Sequence, residues 1–165
     1  HRPIISEDFP PGNCVALAGF HMSAYQIILA EDHLNFRRLL RQELESIDGF
    51  EVVGEANDGR ELLDLLEQVS PDLVILDISM PNMGGIEAAQ RIKLSHPEVK
   101  ILFLSMHKNP VYVERAQQLG VAGYLLKEDM EGSLLSAINR IRTGQTYISP
   151  ILVPCAQARG DKKKT

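Results

Sequence analysis

Residues 72–93 read DLVILDISMPNMGGIEAAQRIK. Four apolar residues, Leu73 to Leu76, run without in/out alternation into Asp77. After a loop rich in Pro and Gly, Ile86, Ala89 and Ile92 step at helical spacing. An unbroken Ile/Val/Leu run of this length suits a parallel strand covered on both faces, and the stepping suits a helix packed on it. The stretch therefore reads as strand, polar loop, helix, with an acid at the strand's carboxyl end.

The same unit repeats outward in both directions. Apolar runs at 26–30, 51–54, 101–104 and 122–126 each lead into a segment with helical spacing: Phe36, Leu40 and Leu44; Leu62, Leu66 and Val69; Val113, Ala116 and Leu119; Leu134, Ile138 and Ile141. Breakers close the helices at Asp48-Gly49, Ser70-Pro71, His96-Pro97 and Gly120. Five βα units with short connections predict an α/β fold, a doubly wound parallel sheet with helices on both faces. About 120 residues is too few for a closed eightfold barrel, which takes about 250.

Composition agrees. The chain has 165 residues, 44% of them apolar and 24% charged, ordinary values for one globular core. A net charge of −5 argues against gripping nucleic acid by its phosphates, and no apolar run approaches the roughly 20 residues of a membrane span. The last ten residues differ, with Arg159, Lys162, Lys163 and Lys164 against Asp161. Cys14 and Cys155 stand far apart, with no metal-binding spacing, so a reducing, cytoplasmic location is expected. Residues 1–22, with Pro3, Pro10, Pro11 and Gly12, are expected to be a leader or cloning remnant with little order.

Ligands of an open parallel sheet bind beyond the carboxyl ends of its strands. Strand one ends in Glu31-Asp32, strand three in Asp77, strand four in Ser105 and strand five in Lys127. Each has an ordinary reading alone: helix-start acids, a turn aspartate, a loop hydroxyl, a surface lysine. Those readings give no reason for all of them to share one edge. Three carboxylates at close quarters call for a cation, and an all-oxygen set suits Mg²⁺. An aspartate there can attack phosphorus, with Mg²⁺ and Lys127 neutralising phosphoryl oxygens and Ser105 donating to one.

ILAEDH (28–33), DLVILDISMPNMGGIEAAQRIK (72–93), ILFLSMH (101–107) and AGYLLKE (122–128) together resemble the receiver domain of bacterial two-component response regulators. The resemblance implies a flavodoxin-like five-stranded sheet of order 2-1-3-4-5. It implies Asp77 as phosphoacceptor; Glu31, Asp32, Asp77 and the Ser79 carbonyl around Mg²⁺, with Glu31 acting through water; and Lys127 on the phosphoryl group. Ser105 and Tyr124 would form the switch pair, the hydroxyl moving to the phosphate as the ring turns inward, while Ser79 and His107 would tune phosphoryl lifetime. Glu128 stands where many receivers have proline, so no cis-proline is expected there.

LSMH, YLLKE and RIRTGQTYISPIL (140–152) resemble the LuxR-type (NarL/FixJ-like) branch. The expected organisation is then a receiver at 23–145 and the start of an interdomain linker at 146–165, cut before a helix-turn-helix domain. A sensor histidine kinase is the implied partner, with a homodimer on phosphorylation and DNA contact only through the absent domain. Val111, Tyr112 and the Leu134–Ile141 helix could contribute to the dimer face, though core packing accounts for their apolar members. Two other classes stand as alternatives. A haloacid-dehalogenase-like phosphatase needs a second Asp where Ser79 stands, and its nucleophile after the first strand. A phosphorylation-independent pseudo-receiver would have lost an acid or the lysine. Nucleotide-binding motifs are absent: Arg60-Glu61 follow Gly59 where a phosphate-binding loop has Lys-Ser/Thr.

Overall fold

The computed structural model describes residues 23–154. Five βα units alternate along the chain: β1 (Tyr25–Ala30), α1 (Leu34–Glu45), β2 (Phe50–Ala56), α2 (Gly59–Leu66), β3 (Leu73–Asp77), α3 (Gly85–Ser95), β4 (Lys100–Ser105), α4 (Pro110–Leu119), β5 (Gly123–Leu126) and α5 (Met130–Arg142). All strand pairs are parallel, in the order β2-β1-β3-β4-β5 anticipated from the resemblance. The expected leader, the basic tail and both cysteines lie outside the described residues.

The unbroken apolar runs are explained by two cores. On one sheet face Ile28, Ala30, Val74, Leu76, Ile101 and Phe103 pack with Leu62, Ala88, Ile92 and Val113 of α2, α3 and α4. On the other, Ile27, Leu29, Ile75 and Leu102 pack with Leu40 and Leu44 of α1 and Leu134, Ile138 and Ile141 of α5. Successive residues of a strand point to opposite faces, so a strand serving two cores needs an apolar residue at each position.

Helix starts are set by side chains that accept from the first turn. His33 Nδ1 accepts from the Phe36 amide, Asp58 Oδ1 from Glu61 and Asn109 Oδ1 from Val111. Gly120 ends α4 at a φ of 68°. At the head of α3, a Cβ on Gly85 would fall on the Asp77 carbonyl oxygen, so only glycine lets the helix begin this close to the end of β3.

The sheet differs from the five-strand expectation by one addition. Residues expected to open a linker instead form β6 (Tyr147–Ile148), parallel to β5 in the register Gly123↔Tyr147 and Tyr124↔Ile148. A 3₁₀ turn over Pro150–Leu152 follows, with Leu152 buried in the α2–α3–α4 core. Ser149, fully buried, ties this strap to β5: its amide donates to the Tyr124 carbonyl at 2.9 Å, and its Oγ accepts from the Leu126 amide at 2.9 Å.

Candidate functional site

Parallel strands end together, so β1, β3 and β5 deliver their last residues to one edge. β1 runs into Glu31 and Asp32, and β3 ends on Asp77. One oxygen from each of these three carboxylates lies within 4.8 Å of the others. Glu31 and Asp77 are buried and Asp32 is exposed, so the cluster has a wet mouth and a dry floor.

Lys127, immediately after β5, reaches into the floor. Its Nζ lies 2.8 Å from Glu31 Oε2 and donates to Asp77 Oδ2 at 3.3 Å. The ammonium also rests 4.7 Å from the centre of the Phe36 ring, which adds a cation–π contact. Burial would lower the Lys127 pKa, but Glu31 and Asp77 outweigh it and hold the ammonium above its usual value. Glu31 is pushed up, chiefly by burial and further by the Asp77 charge, with Lys127 offsetting part of the shift. Glu31 Oε1 accepts from the His33 amide at 3.1 Å, whereas Oε2 has the lysine charge beside it but no well-directed hydrogen bond. A buried carboxylate oxygen without a directed donor, facing two more carboxylates, fits a site for a hard divalent cation.

The other expected residues frame the mouth. Asp77 Oδ1 accepts from the Ser79 amide at 3.2 Å, and Ser79 Oγ meets His107 Nε2 at 2.7 Å. The His107 ring stacks on Tyr112, with centroids 4.2 Å apart and planes 19° apart. Ser105, fully buried, accepts from the His107 amide at 3.0 Å. Tyr124 is inward, 1% exposed, and donates its hydroxyl proton to the His107 carbonyl at 2.6 Å. Burial raises the Tyr124 pKa, so the phenol keeps that proton. His107 therefore touches Ser79, Ser105, Tyr112 and Tyr124. The structure gathers Glu31, Asp32, Asp77 and Lys127 at the cluster, and Ser79, Ser105, His107 and Tyr124 in the adjoining network.

Sequence reasoning passed over the supports beneath the cluster. The β2–α2 turn, whose sequence carries no obvious chemistry, braces both acidic loops. Asp58 Oδ2 accepts from Asn82 Nδ2 at 2.7 Å, and Asn82 takes a left-handed φ of 63° to reach it. That contact, with the Glu61 amide, holds the Asp58 carboxyl below its usual range. The Met83 carbonyl accepts from the Gly59 amide at 2.9 Å. Arg37, spaced as an ordinary helix residue, fastens the turn to β1. No periodic signal marks a buried arginine.

Comparison with known proteins gives a consistent picture. The family described as response regulator receiver domain matches residues 27–139. The chain is 37% identical over 125 residues to the transcriptional regulatory protein DegU of Brevibacillus brevis, covering 76% of this chain and 53% of that protein. It is 36% identical over 140 residues to the response regulator UvrY of Escherichia coli K12, covering 84% and 64%. The chain thus spans a little over half the length of these curated relatives. Among solved structures, a LuxR-family two-component response regulator from Aurantimonas sp. SI85-9A1 superposes with a TM-score of 0.78 at 33% identity, over 83% of this chain and 99% of that one. The isolated receiver of Salmonella enterica RcsB, solved with the phosphomimetic BeF3⁻, gives 0.75 at 27% identity, over 80% and 98%.

Proposed function

The chain belongs to the response regulator receiver domain family, whose members are signalling proteins of two-component systems, and from that premise we propose that Asp77 is its phosphoacceptor. The observation that carries the reading is the position of Asp77: at the end of β3, 5% exposed, against the Lys127 ammonium and beside the Glu31-Asp32 pair.

The donor is a phosphohistidine of a sensor histidine kinase, or a small acyl phosphate. A carboxylate oxygen of Asp77 forms the new P–O bond as the P–N or P–O bond of the donor breaks, and the leaving group keeps the bonding electrons. Glu31, Asp32, Asp77 and the Ser79 carbonyl are the residues that would hold Mg²⁺, Glu31 through water. When bound, this ion neutralises charge on the phosphoryl oxygens. Lys127 pairs with the transferred group, since its raised pKa keeps it charged at neutral pH. The Ser79 amide, already donating to Asp77, helps fix the carboxylate's direction. Ser105 then leaves the His107 amide for a phosphoryl oxygen. That exchange favours the inward Tyr124 ring, which the His107 carbonyl already holds in this structure, and passes the change to α4 and β5. Ser79 and His107 set how long the acyl phosphate lasts.

We read the chain as a cytoplasmic receiver in a regulator that dimerises and binds DNA through an output domain, as its coverage of just over half of its curated relatives suggests. Among the described residues no helix is long and apolar enough to cross a membrane. Intact mass after incubation with Mg²⁺ and acetyl phosphate tests the central step. A single phosphoryl adduct on the wild type, absent from Asp77→Asn, is expected. An unmodified wild type, or equal modification of both, overturns the reading.

A further inference from the structure

Arg37 belongs to the first turn of α1, yet its side chain is only 10% exposed and points under the acidic edge. Nη1 donates to the Glu31 carbonyl at 2.6 Å and to Asn57 Oδ1 at 2.8 Å, and lies 3.5 Å from the Ala56 carbonyl. Nε donates to Glu55 Oε1 at 3.2 Å. The Glu31 amide in turn donates to the Ala56 carbonyl at 3.0 Å. The peptide unit that joins Glu31 to Asp32 thus has its carbonyl clamped by Arg37, while the preceding amide is clamped by β2.

Stability alone explains such a residue poorly. Burying an arginine costs desolvation, and apolar replacements of buried ion pairs are often neutral or stabilising. Its placement explains it better. The Glu31–Asp32 peptide sets the directions in which both carboxylates leave the chain. A planar guanidinium is the side chain able to span a carbonyl, an amide oxygen and a carboxylate together. A cation beside a cation site would ordinarily weaken it. Here Glu55 balances the charge of Arg37, and Glu55 is itself held by Arg41.

We propose that Arg37 is a positioning residue for the divalent-cation site: through the Glu31 carbonyl and Asn57 it holds the acidic pair in the geometry that converges on Asp77. The proposal rests on the reading of the cluster as a Mg²⁺-dependent phosphoacceptor site. Outer supports of metal ligands typically contribute on the order of tenfold or more in metal affinity.

The test is a titration of the whole chain with MgCl₂ alone, followed through the amide chemical shifts of Asp32 and Asp77. Arg37→Lys keeps the charge but cannot span the three acceptors. Its Mg²⁺ Kd is expected to rise about tenfold. Acetyl phosphate labelling of Arg37→Lys is expected to regain the wild-type plateau at saturating Mg²⁺. Asn57→Ala, at an exposed position, removes one anchor without burying anything, and is expected to shift the Kd in the same direction by less. It decides the matter if Arg37→Lys does not fold. A lowered melting temperature with the wild-type Kd retained means a merely structural arginine and overturns the proposal. A wild type that binds no Mg²⁺ overturns the phosphoacceptor reading as well, so the two failures are told apart.

Discussion

Lys127 Nζ and Glu31 Oε2 are 2.8 Å apart on the dry floor of the acidic cluster, and each shifts the other's ionisation. The pair is asymmetric. The lysine gains from two acids, while the glutamate remains raised because burial and Asp77 outweigh its one cation.

That asymmetry sets a pH dependence. A carboxyl whose folded pKa lies above its unfolded value favours folding fully only below the unfolded value, and that contribution is lost as pH rises through the folded one. The Glu31 contribution to the melting temperature in EDTA is therefore expected to fall as pH rises from about 4.5, the ordinary glutamate value, through its raised pKa. Glu31→Gln should flatten this part of the profile. Lys127 has the same sign at the alkaline end: its contribution is fully present below its ordinary value and is lost only as pH rises through its raised one, so the neutral region reports on the acid. Thermal scans of both proteins across pH check the signs.

Mg²⁺ is expected to relieve the acidic cluster. At a concentration one hundred times its Kd, a ligand specific for the folded state stabilises by about 2.7 kcal/mol. For a domain of this size each kcal/mol is worth roughly 3 °C, so Mg²⁺ should raise the melting temperature by roughly 8 °C over EDTA. Asp32→Asn, exposed at the mouth, should lose most of that increment while melting near the wild type in EDTA.

Tyr124→Phe removes a single oxygen. The His107 carbonyl then loses its phenol donor, at a cost of about 1 kcal/mol. Faster amide exchange is expected between Ser105 and Val111, with Tm lower by a few degrees. Unchanged exchange in that loop would show that Tyr124 does not restrain it.

Gly85→Ala asks whether loop placement matters to the chemistry. The new methyl meets the Asp77 carbonyl oxygen, so β3 and the head of α3 must part. A displacement near 1 Å at a reacting group can cost about 100-fold in rate. Acetyl phosphate labelling of Gly85→Ala should therefore be slowed by about that factor, measured by intact mass against time.

Ser149→Ala leaves the Leu126 amide without its acceptor in a fully buried setting, a cost of about 1–3 kcal/mol. Hydrogen exchange at Tyr147–Leu152 should rise first, since the strap hangs on that residue.

How far the sequence was legible follows from what leaves a periodic trace. Strands with apolar residues at each position, and the acids or lysine ending them, are visible one residue at a time. Asp77 and Lys127 were found because each closes an apolar run. Arg37, Asn57, Asp58 and Asn82 carry no such trace. Their side-chain partners are 18 to 24 residues away or across a turn, and a polar residue at a helix start or in a loop looks ordinary until the loops are folded together. β6 was missed for another reason. Tyr147 and Ile148 are too few to show a period, and Ser149-Pro150 resembles the opening of a linker.

The short β6 has a consequence for association. Without it, β5 would present an open row of backbone donors and acceptors, the surface along which sheets of separate molecules join. A two-residue strand followed after Ser149 by Pro150 closes that row and offers little of its own. The opposite border is blunted differently: the register of β2 slips by a residue opposite Ile27/Ile28, and Glu51 and Glu55 lie along it. A chain ended at residue 145 would lose the first guard while keeping the second. It would be expected to pair edge to edge through β5, a self-association unrelated to phosphorylation and easily mistaken for signalling.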